Sequence, residues 1–290
     1  MRRLGLLFIC IALIASAQHV RAEPPKVVAS FSILGDLVGN VGGTSVAVIT
    51  LVGPDSDAHV YSPTPADAKK IADAKLIVVN GFGFEGWLPR LVQSSGSKAK
   101  IVAATDGIAP LRLGLDADPH AWQSVGNAKA YVGNIRSALS GVDPANAERY
   151  RTNAEAYLAK LDALDREVRD AVAKLPPARR KVISTHSAFG YFAASYGIEF
   201  IAPVGVSTES EPSARDVAKI ITQIKQGKIP AVFLENVTDP RLVQRIAAET
   251  GAKVGGTLYS DGLTGEKGDA PTYIDMVRHN IKVLTRALGD

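Results

Sequence analysis

The chain has 290 residues, carrying 33 Lys and Arg against 29 Asp and Glu, a length that suits one large domain or two modest ones. With the charges nearly balanced and no Lys/Arg-rich block, the sequence offers no electrostatic footprint for nucleic acid or for an anionic lipid surface.

In chain order, Arg2 and Arg3 precede an apolar stretch from Leu4 to Ala15 and then small residues ending in an A-x-A-like site at Ala22. Residues 1–22 therefore read as a secretory signal peptide, the apolar core being too short for a membrane span. No later segment offers about twenty consecutive apolar residues, so the mature protein is expected to be soluble. Cleavage after Ala22 would remove Arg2, Arg3 and Arg21 and no acid, leaving the two charge counts almost level. It would also discard Cys10, the only cysteine, which follows Ile9 where a lipid-attachment site would want a small residue. Without cysteine there is no disulfide and no thiolate ligand, so oxygen and imidazole must carry any metal chemistry.

Short β-branched runs follow at Lys26–Phe31, Val46–Val52, Leu76–Asn80 and Lys100–Ala104, alternating with helical patterns at Pro65–Ala74 and Glu85–Ser95. This alternation predicts β/α units around a mainly parallel sheet, an N-terminal lobe over residues 23–142. Asp143-Pro144 then opens a stretch to Leu175 free of further Gly or Pro, with apolar residues at Tyr150, Ala154, Tyr157, Leu158, Leu161, Leu164, Val168, Val172 and Leu175. Steps of mostly three and four residues predict one amphipathic helix, with Asp143 as N-cap, Pro144 at the first helical position and Pro176-Pro177 as the stop. Such a helix, within residues 143–175, would be roughly 45 Å long, a stiff joint that argues against wide hinge bending. The alternation resumes at Lys181–Thr185, Glu199–Ala202, Ala231–Glu235 and Lys253–Thr257, with a last helix near Tyr273–Leu288, giving a C-terminal lobe over residues 176–290. The expected fold class is α/β: two β/α lobes with mainly parallel sheets joined by one long backbone helix.

Three of the five histidines fall in loops beside these elements: His59 after the second strand, His120 in Asp118-Pro119-His120-Ala121-Trp122, and His186 after the first strand of the second lobe. Ligands of open α/β sheets bind beyond the carboxyl ends of the strands, and Asp261, after the Lys253–Thr257 strand, can approach from the same side. Three imidazoles and one carboxylate suit a four-coordinate Zn²⁺ and disfavour Ca²⁺ and Mg²⁺. The spacing is no zinc motif, and a lone loop histidine is more often a surface or hydrogen-bonded residue than a ligand. Glu235, ending a strand, is a candidate to orient a ligand histidine through its other ring nitrogen. Glu209 and Glu211, beside Pro212-Ser213, read as the start of a helix, and His279, on the last helix, as solvated. His19 lies in the leader.

Across essentially the whole mature chain, these residues resemble the metal-binding receptors of zinc and manganese ABC importers, the TroA and ZnuA type. The resemblance rests on the segment Asp57-Ala58-His59-Val60-Tyr61-Ser62-Pro63 and on Val79-Asn80-Gly81 followed by Phe84-Glu85. It rests further on Asp118-Pro119-His120-Ala121-Trp122 and on Tyr259-Ser260-Asp261-Gly262-Leu263. It implies His59, His120, His186 and Asp261 as the four ligands, a periplasmic location, an inner-membrane ABC importer permease as partner, a monomer and no enzymatic activity. Manganese-favouring members often carry Glu where His186 stands, which leans the choice to Zn²⁺ over Mn²⁺ or Fe²⁺. Two departures stand out: Ala58 replaces a usual proline, and Gln123-Ser124 replaces an Asp-Pro pair, an exchange expected to loosen or reshape the loop holding His120. The chain also lacks the long His- and acid-rich loop of many zinc members, which points to loading by a periplasmic zinc metallochaperone or to a different affinity range.

Two rival readings are open. Gly81-Phe82-Gly83-Phe84-Glu85-Gly86 matches the dinucleotide fingerprint G-x-G-x-x-G and is followed by Asp106 at the usual distance, although Glu85 would set a carboxylate against the pyrophosphate. A periplasmic zinc-dependent hydrolase would need three ligands and an open position, and neither H-E-x-x-H nor G-x-S-x-G is present.

Overall fold

The computed structural model describes residues 23–289, so the leader assigned to residues 1–22, with Cys10 and His19, lies outside the described residues. The first half runs β1 (Lys26–Phe31), α1 (Ser32–Gly42), β2 (Ala47–Val52), α2 (Pro65–Ala72), β3 (Leu76–Val79), α3 (Leu88–Ser95) and β4 (Lys100–Ala103). A two-stranded hairpin, β5 (Arg112–Leu113) and β6 (Asp116–Ala117), leads to the helices α4 (Val125–Val142) and α5 (Ala147–Ala173). The second half runs β7 (Lys181–Ile183), α6 (Gly190–Tyr196), β8 (Glu199–Ile201), α7 (Ala214–Gly227), β9 (Ala231–Glu235), α8 (Arg241–Thr250), β10 (Lys253–Leu258) and α9 (Tyr273–Gly289).

The two large sheets are parallel throughout, in the orders β2-β1-β3-β4 and β10-β9-β7-β8. Read from its own first strand, each has the same topology, second-first-third-fourth. Each therefore reverses direction between its first and third strands, where a crevice opens at the carboxyl ends. The central strands are apolar on both faces, as parallel strands covered by helices must be: Val27, Val28, Ala29, Ile77, Val78, Val182 and Phe233 are fully buried.

The helix α5 packs against α1 and α4 of the first half and against α6 and α9 of the second. Its buried stripe, Tyr150, Ala154, Tyr157, Leu161, Leu164, Val168 and Val172, falls within the positions the sequence periodicity marks; of the other two, Leu158 is half-buried beside it and Leu175 is buried just past the helix end. Around it one continuous apolar core runs from Val27 to Leu288, through both halves. Movement of one half against the other would have to break this packing, which behaves as a dense solid rather than a fluid.

The start of the long helix differs from expectation. Pro144–Asn146 form a 3-10 turn and α5 begins only at Ala147. Asp143 caps no backbone N–H with its side chain; its carboxylate accepts from the Tyr150 hydroxyl (2.6 Å) and the Asn146 amide (2.8 Å). The buried phenol needs an acceptor and takes the one that helix capping would have used. Likewise the helix expected from Glu85 starts at Leu88, because the Glu85 side chain is turned back into the protein.

Candidate metal centre

At the switch point of the second sheet, β7 ends and the chain passes through Ser184 and Thr185 to His186. The carboxylate of Glu235, at the end of neighbouring β9, reaches across: Oε1 accepts the backbone N–H groups of Thr185 (2.7 Å) and His186 (3.1 Å). Its other oxygen lies 2.5 Å from His186 Nδ1, which turns Nε2 of the ring away from the sheet. After β10, Tyr259 and Ser260 carry the chain to Asp261, whose neighbours are tied to the first half. Ser260 O accepts from Trp122 Nε1 (2.9 Å) and Gln123 Nε2 (2.7 Å), and the Leu263 N–H donates to Ser32 Oγ (2.9 Å).

The first half supplies the other two imidazoles from loops. Asp57 Oδ1 accepts the His59 N–H (2.8 Å), and Asp118 Oδ1 accepts both the N–H (2.9 Å) and Nδ1 (2.7 Å) of His120. Gly190, at the start of α6, lets Asp118 sit there, since a Cβ on it would lie 2.5 Å from Asp118 Oδ2. The Gln123-Ser124 pair does not loosen the His120 loop. Gln123 binds Ser260 O, and Ser124 Oγ meets Ser195 Oγ at 2.8 Å, so both residues bind the loop to the second half.

These segments bring His59, His120, His186 and Asp261 together, one ligand atom from each lying within 4.8 Å of all the others. His120 Nε2 is 3.2 Å from His59 Nε2 and 3.3 Å from His186 Nε2. The Asp261 oxygens lie 3.0, 3.4 and 3.6 Å from the Nε2 atoms of His186, His120 and His59. A tetrahedral ion with bonds of about 2.0–2.1 Å separates its ligand atoms by about 3.3–3.4 Å, so five of the six donor pairs stand near coordination spacing. His120, His186 and Asp261 are fully buried and His59 is 6% exposed, with Phe84 against its ring at 4.6 Å.

Both Asp261 oxygens are buried, and the three imidazole Nε2 atoms are the polar partners they face. Burial opposes the charge of this carboxylate, but the three surrounding imidazoles, His186 foremost, hold it well below the usual carboxylate range. Burial also opposes a charge on His186, yet Glu235 and Asp261 on either side outweigh it and raise its pKa well above the ordinary imidazole value. His59 goes the other way: burial, reinforced by the two other imidazoles against the pull of Asp261, brings it down to about 3.

Sequence reasoning missed that Asp118 does for His120 what Glu235 does for His186. The signal was present as Asp-x-His, which occurs at both Asp57 and Asp118 and lets a carboxylate accept the backbone N–H two residues on. Glu85 was also missed. It occupies the switch point of the first sheet, accepting from Asn80 N–H (2.6 Å), Gly81 N–H (3.3 Å) and Ser30 Oγ (2.6 Å). The backbone N–H groups that a pyrophosphate would need are thus taken by the protein's own carboxylate, which removes the dinucleotide reading. Glu209 and Glu211 are exposed, and His279 is not solvated but half-buried, Nε2 lying 3.0 Å from Thr257 O.

Comparison with known proteins places this arrangement. The family model described as ZnuA, zinc-uptake complex component A periplasmic, matches residues 27–287. The iron-binding protein YfeA of Yersinia pestis is 36% identical over 92% of this chain and 88% of its own. The manganese-binding lipoprotein MntA of Halalkalibacterium halodurans is 34% identical over 92% and 89%. Among solved structures, the periplasmic zinc binding protein TroA of Treponema pallidum superposes with a TM-score of 0.88 at 31% identity, over 91% of this chain and 99% of that one.

Proposed function

Because the chain belongs to the ZnuA family of metal-binding receptors of ABC importers, we propose that it captures one divalent transition metal ion, Zn²⁺ first, at His59, His120, His186 and Asp261. The observation that carries this reading is the buried Asp261 carboxylate, ringed by three imidazoles and given no other polar partner, an arrangement costly by itself and resolved by a cation. The metal is cargo: the family consists of substrate-binding proteins, not enzymes, and four protein ligands leave no position for a reacting water. The reading includes export of residues 23–290 to the periplasm after cleavage at Ala22, function as a monomer, and delivery to an inner-membrane permease. No helix among the described residues is long and apolar enough to cross a membrane. In the same reading residues 23–142 and 176–290 act as lobes on the connection 143–175, the metal entering between them.

Zinc is preferred on ligand chemistry. For a fixed set of nitrogen and oxygen donors, affinity rises from Mn²⁺ through Fe²⁺ to the late metals, with Zn²⁺ above both. The second reading, a manganese or iron receptor, is favoured by the names of the relatives above, since selectivity in the cell follows metal supply as well as affinity. Competitive titration of the metal-free protein with Zn²⁺, Mn²⁺ and Fe²⁺ tests it: one ion per chain, zinc tightest, is expected, and no binding of any of the three would overturn the assignment. Loading from a zinc metallochaperone no faster than from free Zn²⁺ would exclude that partner.

The two carboxylates behind the imidazoles should matter as well. Asp118→Asn and Glu235→Gln are each expected to weaken metal binding about 10- to 100-fold, because they fix ring orientation and raise ligand basicity. The same titration checks this, and affinities within twofold of the parent would reduce both residues to structural roles.

A further inference from the structure

The segment 202–213, between β8 and α7, lies across the mouth of the four-residue cluster. Its stem is fixed to the His186 loop: Val204 pairs with His186, the Ser187 N–H donates to Gly205 O (3.0 Å) and Ser187 Oγ to Val204 O (3.1 Å). Its far end crosses to the other half, where Thr208 Oγ1 donates to Asp57 Oδ2 at 2.6 Å. Among the described residues this is the one hydrogen bond between the segment and the first half. A cavity of about 460 Å³ is lined by the segment and His186, and one of about 650 Å³ by the segment and His59. Val204, Ser210, Glu211 and Pro212 line both.

Elsewhere the halves are joined far more firmly. The Asp55 N–H donates to Leu263 O (2.8 Å), Trp122 and Gln123 share Ser260 O, Tyr191 OH donates to Asp118 O (2.9 Å), and the core is continuous behind them. Separating the halves would break all of these, whereas lifting the far end of the segment, its stem left on the His186 loop, breaks one. The bond it breaks belongs to Asp57, whose other oxygen holds the His59 backbone, so the strap and the least buried imidazole share one carboxylate.

We propose that the segment 202–213 is a strap over the metal centre and that the Thr208–Asp57 hydrogen bond is its latch, setting how fast metal exchanges. Thr208 is a positioning residue: its side chain hydrogen-bonds Asp57 and none of the four candidate ligands. This rests on the metal-binding reading above. A hydrogen bond to a charged acceptor is worth about a factor of ten or more in an equilibrium, and breaking it favours the open strap on both entry and exit. Thr208→Ala is therefore expected to raise the zinc dissociation rate about tenfold and to raise the association rate with it, leaving Kd changed much less than either rate.

Stopped-flow mixing of zinc-loaded protein with excess chelator, and of metal-free protein with Zn²⁺, reads both rates in the parent, Thr208→Ala and Thr208→Ser. Faster exchange in the alanine variant, restored by serine with unchanged melting temperatures, supports the latch. Zinc binding with dissociation in Thr208→Ala within twofold of the parent overturns the latch alone. A parent protein that binds no metal overturns the latch together with the reading beneath it.

Discussion

Asp261→Ala is expected to weaken metal binding about 100- to 1,000-fold. Four-ligand zinc sites are worth roughly 10–16 kcal/mol, so an even share is about 2.5–4 kcal/mol per ligand, on the order of two to three powers of ten. Asp261 should contribute at least an even share, being the one anion in a cluster whose other members are imidazoles. Its charge acts where burial leaves little water to screen it, with the carboxylate fully buried. Asp261→Asn separates charge from shape: it keeps an oxygen donor at the same place and should fall between parent and alanine. Competition against a chromophoric chelator measures both, and melting of the unloaded variants checks that the Ser260 ties to Trp122 and Gln123 survive. An alanine variant within tenfold of the parent would mean that the carboxylate lies beside the metal without holding it.

The same residue shows how the sequence could be read and where reading stopped. Strand and helix positions were legible because their signals are local. The apolar runs of β1 and β9 and the three-four stripe of α5 appear in the sequence where they appear in the fold. That four donors spread from position 59 to 261 meet at one point was not a matter of spacing. It follows from the carboxyl ends of two sheets of identical topology, which the strand order hinted at and the family resemblance carried further in advance. Glu85 was illegible as a positioning residue, and Asp118 was legible only as the Asp-x-His pattern, for a different reason. Each acts through backbone N–H groups or a ring nitrogen, and whether a side chain turns back onto its own loop depends on packing, as with Gly190 beside Asp118. Asp143 erred in the opposite sense, since a good capping sequence lost to a buried phenol that only the tertiary fold brings near.

Lowering the pH from about 7.5 to about 5.5 is expected to weaken metal binding about a hundredfold, one power of ten per pH unit, with about one proton released per ion bound. Neutral imidazole is the ligand, and sequence alone puts the loss below about 6.5, the ordinary histidine value. The structure moves its onset upward through His186. Held between Glu235 and Asp261, this ring keeps its proton above that value in the metal-free protein, and Nε2 must give the proton up to coordinate. His59 adds nothing in this window, because burial keeps it neutral down to about 3. The two rings also act oppositely on the metal-free fold. The raised His186 stabilises it below about 6.5, a contribution lost as pH rises through the higher folded value. The lowered His59 costs stability as pH falls from about 6.5 towards 3, where the unfolded chain takes up a proton and the fold does not. Calorimetric titration near pH 7 in two buffers of different protonation enthalpy counts the released proton. Glu235→Gln removes the foremost charge holding it, so in that variant the onset of the loss should move to lower pH even though the affinity itself is reduced. Binding that stays flat across the window, or that releases no proton at its upper end, would mean that His186 is neutral before the metal arrives and that the two carboxylates flanking it share no proton with it.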